Sequence, residues 1–143
     1  MRLQQIPLQS ENGSPFWEIK VLLVETNCAI IRTVEKVFEK NASSYFLRRI
    51  QNKDDLTFEL MYNKPDVIIS GRNMGDFTGE EVLSLVELHS PNLPVLMLVT
   101  DFNAKANISL VNKGAYDIIY HNEIARLPLE VNFLFQAGVL KQA

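Results

Sequence analysis

The chain reads as a doubly wound α/β domain, a five-stranded parallel sheet with helices on both faces. Two observations predict this. Short β-branched runs alternate with longer stretches whose apolar residues recur every three or four positions, the signature of βα units. Three of the short runs, Val21-Leu-Leu-Val24, Val67-Ile-Ile69 and Val95-Leu-Met-Leu-Val99, are apolar without interruption, which implies burial on both faces and helices on both sides. A length of 143 residues, 47% apolar and 22% charged, suits one domain around one sheet.

The elements follow in order. Residues 1–17 read as a loose arm: 3–15 is rich in Gln and Ser, carries two prolines and Gly13, and has neither a period of 2 nor one of 3.6. Phe16 and Trp17 are placed to staple the arm to the domain, which spans 18–143. Strands are expected at 19–25, 45–50, 66–70, 95–99 and 116–120. In the first helix Ile30, Val34, Val37 and Phe38 share a face. Asn52, with Asp55 three residues on, caps a second helix through Met61. A third starts near Thr78, with Glu80 and Glu81 in its positive first turn. A fourth is capped by Asp101 and ends at Gly114, a residue suited to the left-handed conformation. A fifth opens at Pro128 and runs to Ala143 without a stop signal, which favours a longer polypeptide. Right-handed crossovers leave 2-1-3-4-5 as the strand order, the flavodoxin-like arrangement.

Composition excludes several classes of function. The formal charge is −3 and basic residues are not massed in one segment, so nucleic acid is not an expected partner. Apolar runs reach about six residues, far short of the roughly 20 of a membrane span. No secretory signal opens the chain, and a cytoplasmic setting is the expectation. Cys28 is the only cysteine, so no intrachain disulfide forms, and with His89 and His121 far apart no zinc cage is expected. Cys28 itself reads as a small packed hydrophobe.

In a doubly wound sheet, ligands bind beyond the carboxyl ends of the strands. The residues there are Glu25, Thr26 and Asn27; Gly71 and Arg72; Val99, Thr100 and Asp101; and His121. The stretches Val21-Leu-Leu-Val-Glu-Thr-Asn27, Lys64-Pro-Asp-Val-Ile-Ile-Ser-Gly-Arg-Asn-Met-Gly-Asp-Phe-Thr-Gly79, Leu93-Pro-Val-Leu-Met-Leu-Val99 and Lys113-Gly-Ala-Tyr-Asp117 resemble the receiver domain of two-component response regulators, the CheY-like fold. The segment from Lys113 to Leu127 is similar to receivers carried by sensor kinases.

The resemblance implies a phosphorylation site: two acidic residues after the first strand, an acceptor aspartate after the third, a Ser or Thr after the fourth and a Lys after the fifth. The carboxylates would hold Mg²⁺ while the hydroxyl and Lys take the phosphoryl oxygens. Carried over position by position, these fall on Glu25 and Thr26, Gly71, Val99 and His121. Only Glu25 keeps the family's chemistry. The aromatic residue that follows the hydroxyl in the family's switch falls on Ile118. The expectation is a pseudo-receiver with no catalytic residues, no cofactor, and weak or no Mg²⁺ binding at Glu25.

Function then falls to surfaces. In the last helix Leu127, Val131, Leu134 and Phe135 form a stripe for the sheet, whereas Leu129, Phe133 and Leu140 form a second one, a candidate interface for a protein partner or a homodimer. The leading expectation is a phosphorylation-independent interaction or dimerisation module, not an enzyme. Two other readings stay open: a phosphorelay receiver using a non-standard carboxylate, Asp76 or Asp101, or an anion or small-ligand sensor built on Glu25, Arg72 and His121.

Overall fold

A computed structural model describes residues 18–40 and 45–138. The arm, with Phe16 and Trp17, and Leu140 of the second stripe lie outside the described residues. The elements run β1 (Ile19–Val24), α1 (Cys28–Lys40), β2 (Tyr45–Ile50), α2 (Lys53–Phe58), a π-helical turn (Glu59–Asn63), β3 (Val67–Gly71), β4 (Asn73–Met74), β5 (Phe77–Thr78), α3 (Gly79–His89), β6 (Val95–Val99), α4 (Ala104–Asn112), β7 (Asp117–Tyr120), a 3₁₀ turn (His121–Arg126) and α5 (Leu127–Gln136).

The main sheet has the order β2-β1-β3-β6-β7, with every neighbour parallel. This is the flavodoxin-like order read from the sequence. The strands β4 and β5 form a separate antiparallel hairpin, Asn73 opposite Thr78 and Met74 opposite Phe77, directly after β3.

Alternation along each strand divides the interior into two cores. Val21 and Leu23 of β1 face α1 and α5, where they join Val34, Phe38, Leu98, Val131 and Leu134. Leu22 and Val24 face the opposite way, toward Leu56, Val82, Met97 and Leu110. Each fully buried Leu or Val contributes roughly 1.5–3 kcal/mol, so both layers are needed to hold the sheet. On α1, Ile31 takes a buried position beside Val34 and Phe38, while Ile30 and Val37 pack at the margin.

Helix ends follow local chemistry. Asn52 Oδ1 accepts from the Asp55 amide at 2.8 Å, and Thr78 with Glu81 forms a reciprocal capping box. Gly114, at φ 116°, ends α4. Several boundaries differ from expectation. Asn103, not Asp101, caps α4, its Oδ1 accepting from the Ala106 amide at 3.1 Å. The second helix passes into a π turn before Met61 and ends at Lys64, whose φ is 47°. The fifth helix is preceded by a 3₁₀ turn, opens one residue earlier at Leu127, and ends at Gln136 rather than running to Ala143. Gly138, at φ 78°, follows it.

Candidate functional site at the carboxyl edge of the sheet

Glu25 follows β1 at the rim and is 3% exposed. Its side chain turns back over its own loop, where Oε2 accepts from the Thr26 amide at 3.0 Å and the Asn27 amide at 3.2 Å. Asn27 in turn caps α1, its Oδ1 accepting from the Ala29 and Ile30 amides at 3.0 and 3.1 Å. A buried carboxylate is tolerated only when charge-assisted hydrogen bonds replace its water, and two backbone amides supply them.

The same carboxylate lies against Gly71, the buried last residue of β3. A Cβ at Gly71 would meet Glu25 Cδ at 2.9 Å and Oε2 at 3.0 Å, and Oε1 closer still. Glu25 therefore occupies the space into which a side chain at position 71 would project. A second close approach reinforces the corner. A Cβ at Gly79 would meet Met97 Sδ at 2.6 Å and the Gly71 carbonyl oxygen at 3.0 Å. The Gly79 amide also donates to the Arg72 carbonyl at 2.7 Å. The eight-residue spacing from Gly71 to Gly79 thus brings two backbones together around the β4–β5 hairpin.

The other positions singled out by sequence sit around this corner in different environments. Thr26 is exposed. Val99 is buried at the end of β6, and Ile118 packs at the margin of the α2–α3–α4 core. Arg72 and His121 are half-buried, and no ion pair among the described residues joins either of them to Glu25. Asp76 is exposed in the turn of the hairpin, Asp101 is exposed beyond β6, and Asp66 lies at the other end of β3, accepting from the Lys20 amide at 2.8 Å. No cluster of three or more His, Cys, Asp or Glu side chains able to hold a metal occurs among the described residues. A magnesium ion prefers near-octahedral oxygen coordination, and this rim offers one buried carboxylate already committed to backbone amides.

Three features escaped the sequence reading. Cys28 is exposed, not packed; it lines a polar cleft of about 360 Å³ beyond β2, together with Arg32, Glu35, Arg49, Asn52 and Asp55. It stands at the first residue of α1, three residues before Ile31, where the buried face begins. Beside the rim, Asn107 of α4 donates through Nδ2 to the Tyr120 hydroxyl at 3.0 Å, and the Phe102 ring lies 5.4 Å from the Tyr120 ring. Asn107 looks from sequence like any polar helix residue, and only the inward stripe position i−3 from Leu110 could have marked it. Arg48 of β2 lies 3.5 Å from Glu59, a glutamate buried in the π turn.

The last helix places the described residues of its two apolar stripes in different environments. Leu127, Val131 and Leu134 are buried, whereas Leu129 and Phe133 are 70% and 65% exposed. At its base Arg126 bonds to Glu130 and Glu123, each at 2.9 Å. The Glu130 hydrogen bond, with the charges of Glu130 and Glu123, holds the guanidinium pKa above its ordinary value. Among the described residues no helix is long and apolar enough to cross a membrane.

Comparison with known proteins agrees with the fold. The model of the response regulator receiver domain matches residues 21–127. The DNA-binding transcriptional regulator NtrC of Proteus hauseri is 23% identical over 99 residues, which is 69% of this chain and 20% of the relative; the chain thus spans about a fifth of that protein's length. The signal receiver domain of a LuxO repressor protein from Vibrio parahaemolyticus superposes with a TM-score of 0.74 at 21% identity, covering 84% of this chain and 92% of that one. A response regulator from Chloroflexus aurantiacus gives 0.74 at 22% identity over 82% and 97%. The receiver domain of a histidine kinase from Syntrophus aciditrophicus gives 0.71 at 20% over 82% and 90%. With a family model matching residues 21–127 and the fold of these receiver structures, the chain belongs to the response regulator receiver domain family of two-component signal transduction.

Proposed function

We propose that this receiver transmits signals by protein recognition alone and accepts no phosphoryl group. The observation that supports this most is the Glu25 side chain, which fills the space beside Gly71 where the family's acceptor aspartate would stand. A carboxylate hydrogen-bonded to two backbone amides and attached to the rim is poorly placed as a nucleophile. A side chain at position 71 would have to displace the end of the Glu25 side chain from its two amides. With Thr26 as the second acidic position, Val99 as the hydroxyl position and His121 as the Lys position, the rim lacks the donors that would stabilise a transferred phosphoryl group. The residues do not fit Mg²⁺, so no metal-assisted step is assigned. On this reading the module is not an enzyme, and it works in the cytoplasm.

The recognition surface is the outer face of α5. Leu129 and Phe133 are apolar, exposed, and rigidly held by the buried stripe behind them. A protein partner, or a second copy of the chain, covers them.

The decisive test is intact mass spectrometry after incubation with a small acyl phosphate and Mg²⁺. No covalent adduct is expected. A single phosphoryl adduct that maps to Asp76, Asp101 or Glu25 would overturn the reading in favour of a non-standard acceptor. Thermal-shift titration with inorganic phosphate and nucleotides checks the anion-sensor alternative, since a specific binder raises the melting temperature by mass action. No shift is expected.

A further inference from the structure

The polar cleft of about 360 Å³ at the carboxyl end of β2 lies in the size range of small-molecule sites. One wall is a single face of α1, on which Cys28, Arg32 and Glu35 recur at i, i+4 and i+7. The other is the end of β2 and its turn into α2, from Arg49 to Asn52, with Asp55 one turn on. The Glu25 amide donates to the Ile50 carbonyl at 3.2 Å, which ties the loop leading into α1 to the opposite wall. Most of the polar groups in these walls already hold one another. Arg49 lies 3.5 Å from Glu35, and Asn52 donates through Nδ2 to Asp55 at 3.1 Å while its Oδ1 caps α2. No hydrogen bond or ion pair among the described residues engages the side chains of Arg32, Gln51 or Cys28. The uncommitted set is therefore one guanidinium, one carboxamide and one thiol, in a cleft whose two carboxylates are turned to other partners.

We propose that this cleft binds a small polar monocarboxylate, with the carboxylate on the Arg32 guanidinium and a hydroxyl or carbonyl of the ligand on Gln51. A guanidinium presents a planar fork that takes a carboxylate through two parallel N–H···O bonds, and Arg32 has no internal partner to give up first. Charge sets the upper limit. A second negative charge on the ligand would face Glu35 and Asp55, so multiply charged phosphates and nucleotides are disfavoured. Polarity sets the ligand's body: the apolar members of the lining, Ile31 and Ile50, are both buried and leave little surface for a hydrocarbon chain. The cleft opens at the carboxyl ends of the strands, where doubly wound sheets bind ligands, but on the β2 side of β1, whereas Gly71 ends β3 on the other side. A ligand there needs no phosphoryl group, and its absence would leave the reading of the Glu25–Gly71 corner untouched.

Cys28, the only cysteine in the chain, reports occupancy. Alkylation of the intact chain by iodoacetamide, followed by intact mass spectrometry, should slow severalfold in millimolar 4-hydroxybenzoate and stay unchanged with its neutral isostere 4-hydroxybenzamide or with inorganic phosphate. In an NMR titration with 4-hydroxybenzoate, amide shifts should gather at 28–35 and 49–55. Arg32→Gln, at an exposed position of α1, should abolish both effects and leave the melting temperature of the free chain as it was. Equal protection by the acid and the amide overturns the proposal, as does protection by phosphate, protection that survives Arg32→Gln, or an alkylation rate that 4-hydroxybenzoate leaves unchanged. If Arg32→Gln fails to fold, the comparison of acid, amide and phosphate on the parent chain decides alone.

Discussion

The rim around Gly71 and the outer face of α5 make opposite use of their side chains. At the rim a polar group is drawn inward: Glu25 leaves solvent, takes two backbone amides and seals the corner against β3. On α5 apolar groups are pushed outward: Leu129 and Phe133 stand in water although Leu127, Val131 and Leu134 already fill the core beneath. On the recognition reading, the closed rim and the open surface divide the roles. An uncovered apolar stripe is unfavourable until something covers it.

Substitutions sharpen this contrast, and the largest effect belongs to the rim. Gly71→Asp places a second carboxylate against Glu25 with no counter-charge, and roughly 3–5 kcal/mol of stability should be lost in urea denaturation. Glu25→Ala added to that variant should recover a large part of the loss, a coupling of about 1–3 kcal/mol in a double-mutant cycle. Additive losses would show that the two positions do not share one space.

The inner stripe of α5 comes next. Leu134→Ala should cost about 2–5 kcal/mol by leaving a cavity against α1 and the sheet. Phe133→Ser, one position away, should stay within about 0.5 kcal/mol. Sedimentation velocity supplies the second half of that test: the Leu129→Ser, Phe133→Ser double variant should lose any self-association, or partner capture, that the parent chain shows.

The caps give smaller effects. Thr78→Ala removes one half of the capping box and should cost about 1 kcal/mol, measured by thermal unfolding. Smaller still is a pH effect at the seam between β2 and α5, where the Tyr45 hydroxyl donates to the Pro128 carbonyl at 3.0 Å and burial raises its pKa above the usual 10. The folded chain then holds the phenolic proton more tightly than the unfolded one. The stabilisation is intact below about pH 10 and falls as pH climbs through the raised value. Tyr45→Phe should flatten that alkaline limb.

Much of the fold was written in local patterns. Uninterrupted apolar runs marked β1, β3 and β6 as interior strands, and Asn52, Thr78 and Gly114 marked their helix ends by side-chain chemistry that acts within four residues. Where two local signals compete, sequence does not choose between them. Asp101 and Asn103 are equally good caps, and the choice falls to Asn103 in a loop whose Phe102 ring rests on Tyr120. The stop after α5 is legible in Gly138, which takes a positive φ of 78°. The π turn was not legible, because it arises where Glu59 settles into burial beside Arg48 of β2 rather than from any periodicity. The rim was half legible. Residue types at Gly71, Val99 and His121 can be read directly, whereas the inward turn of Glu25 depends on a void created by a glycine on a different strand.

That void has a further consequence. Because its occupant is tethered to the adjacent loop by covalent bonds, a free carboxylate or phosphate diffusing in from solution competes against a group already present at high effective concentration. On the recognition reading, the strength of the signal this domain passes on is metered by the abundance of the protein that meets α5, and stays indifferent to the cell's supply of high-energy phosphate.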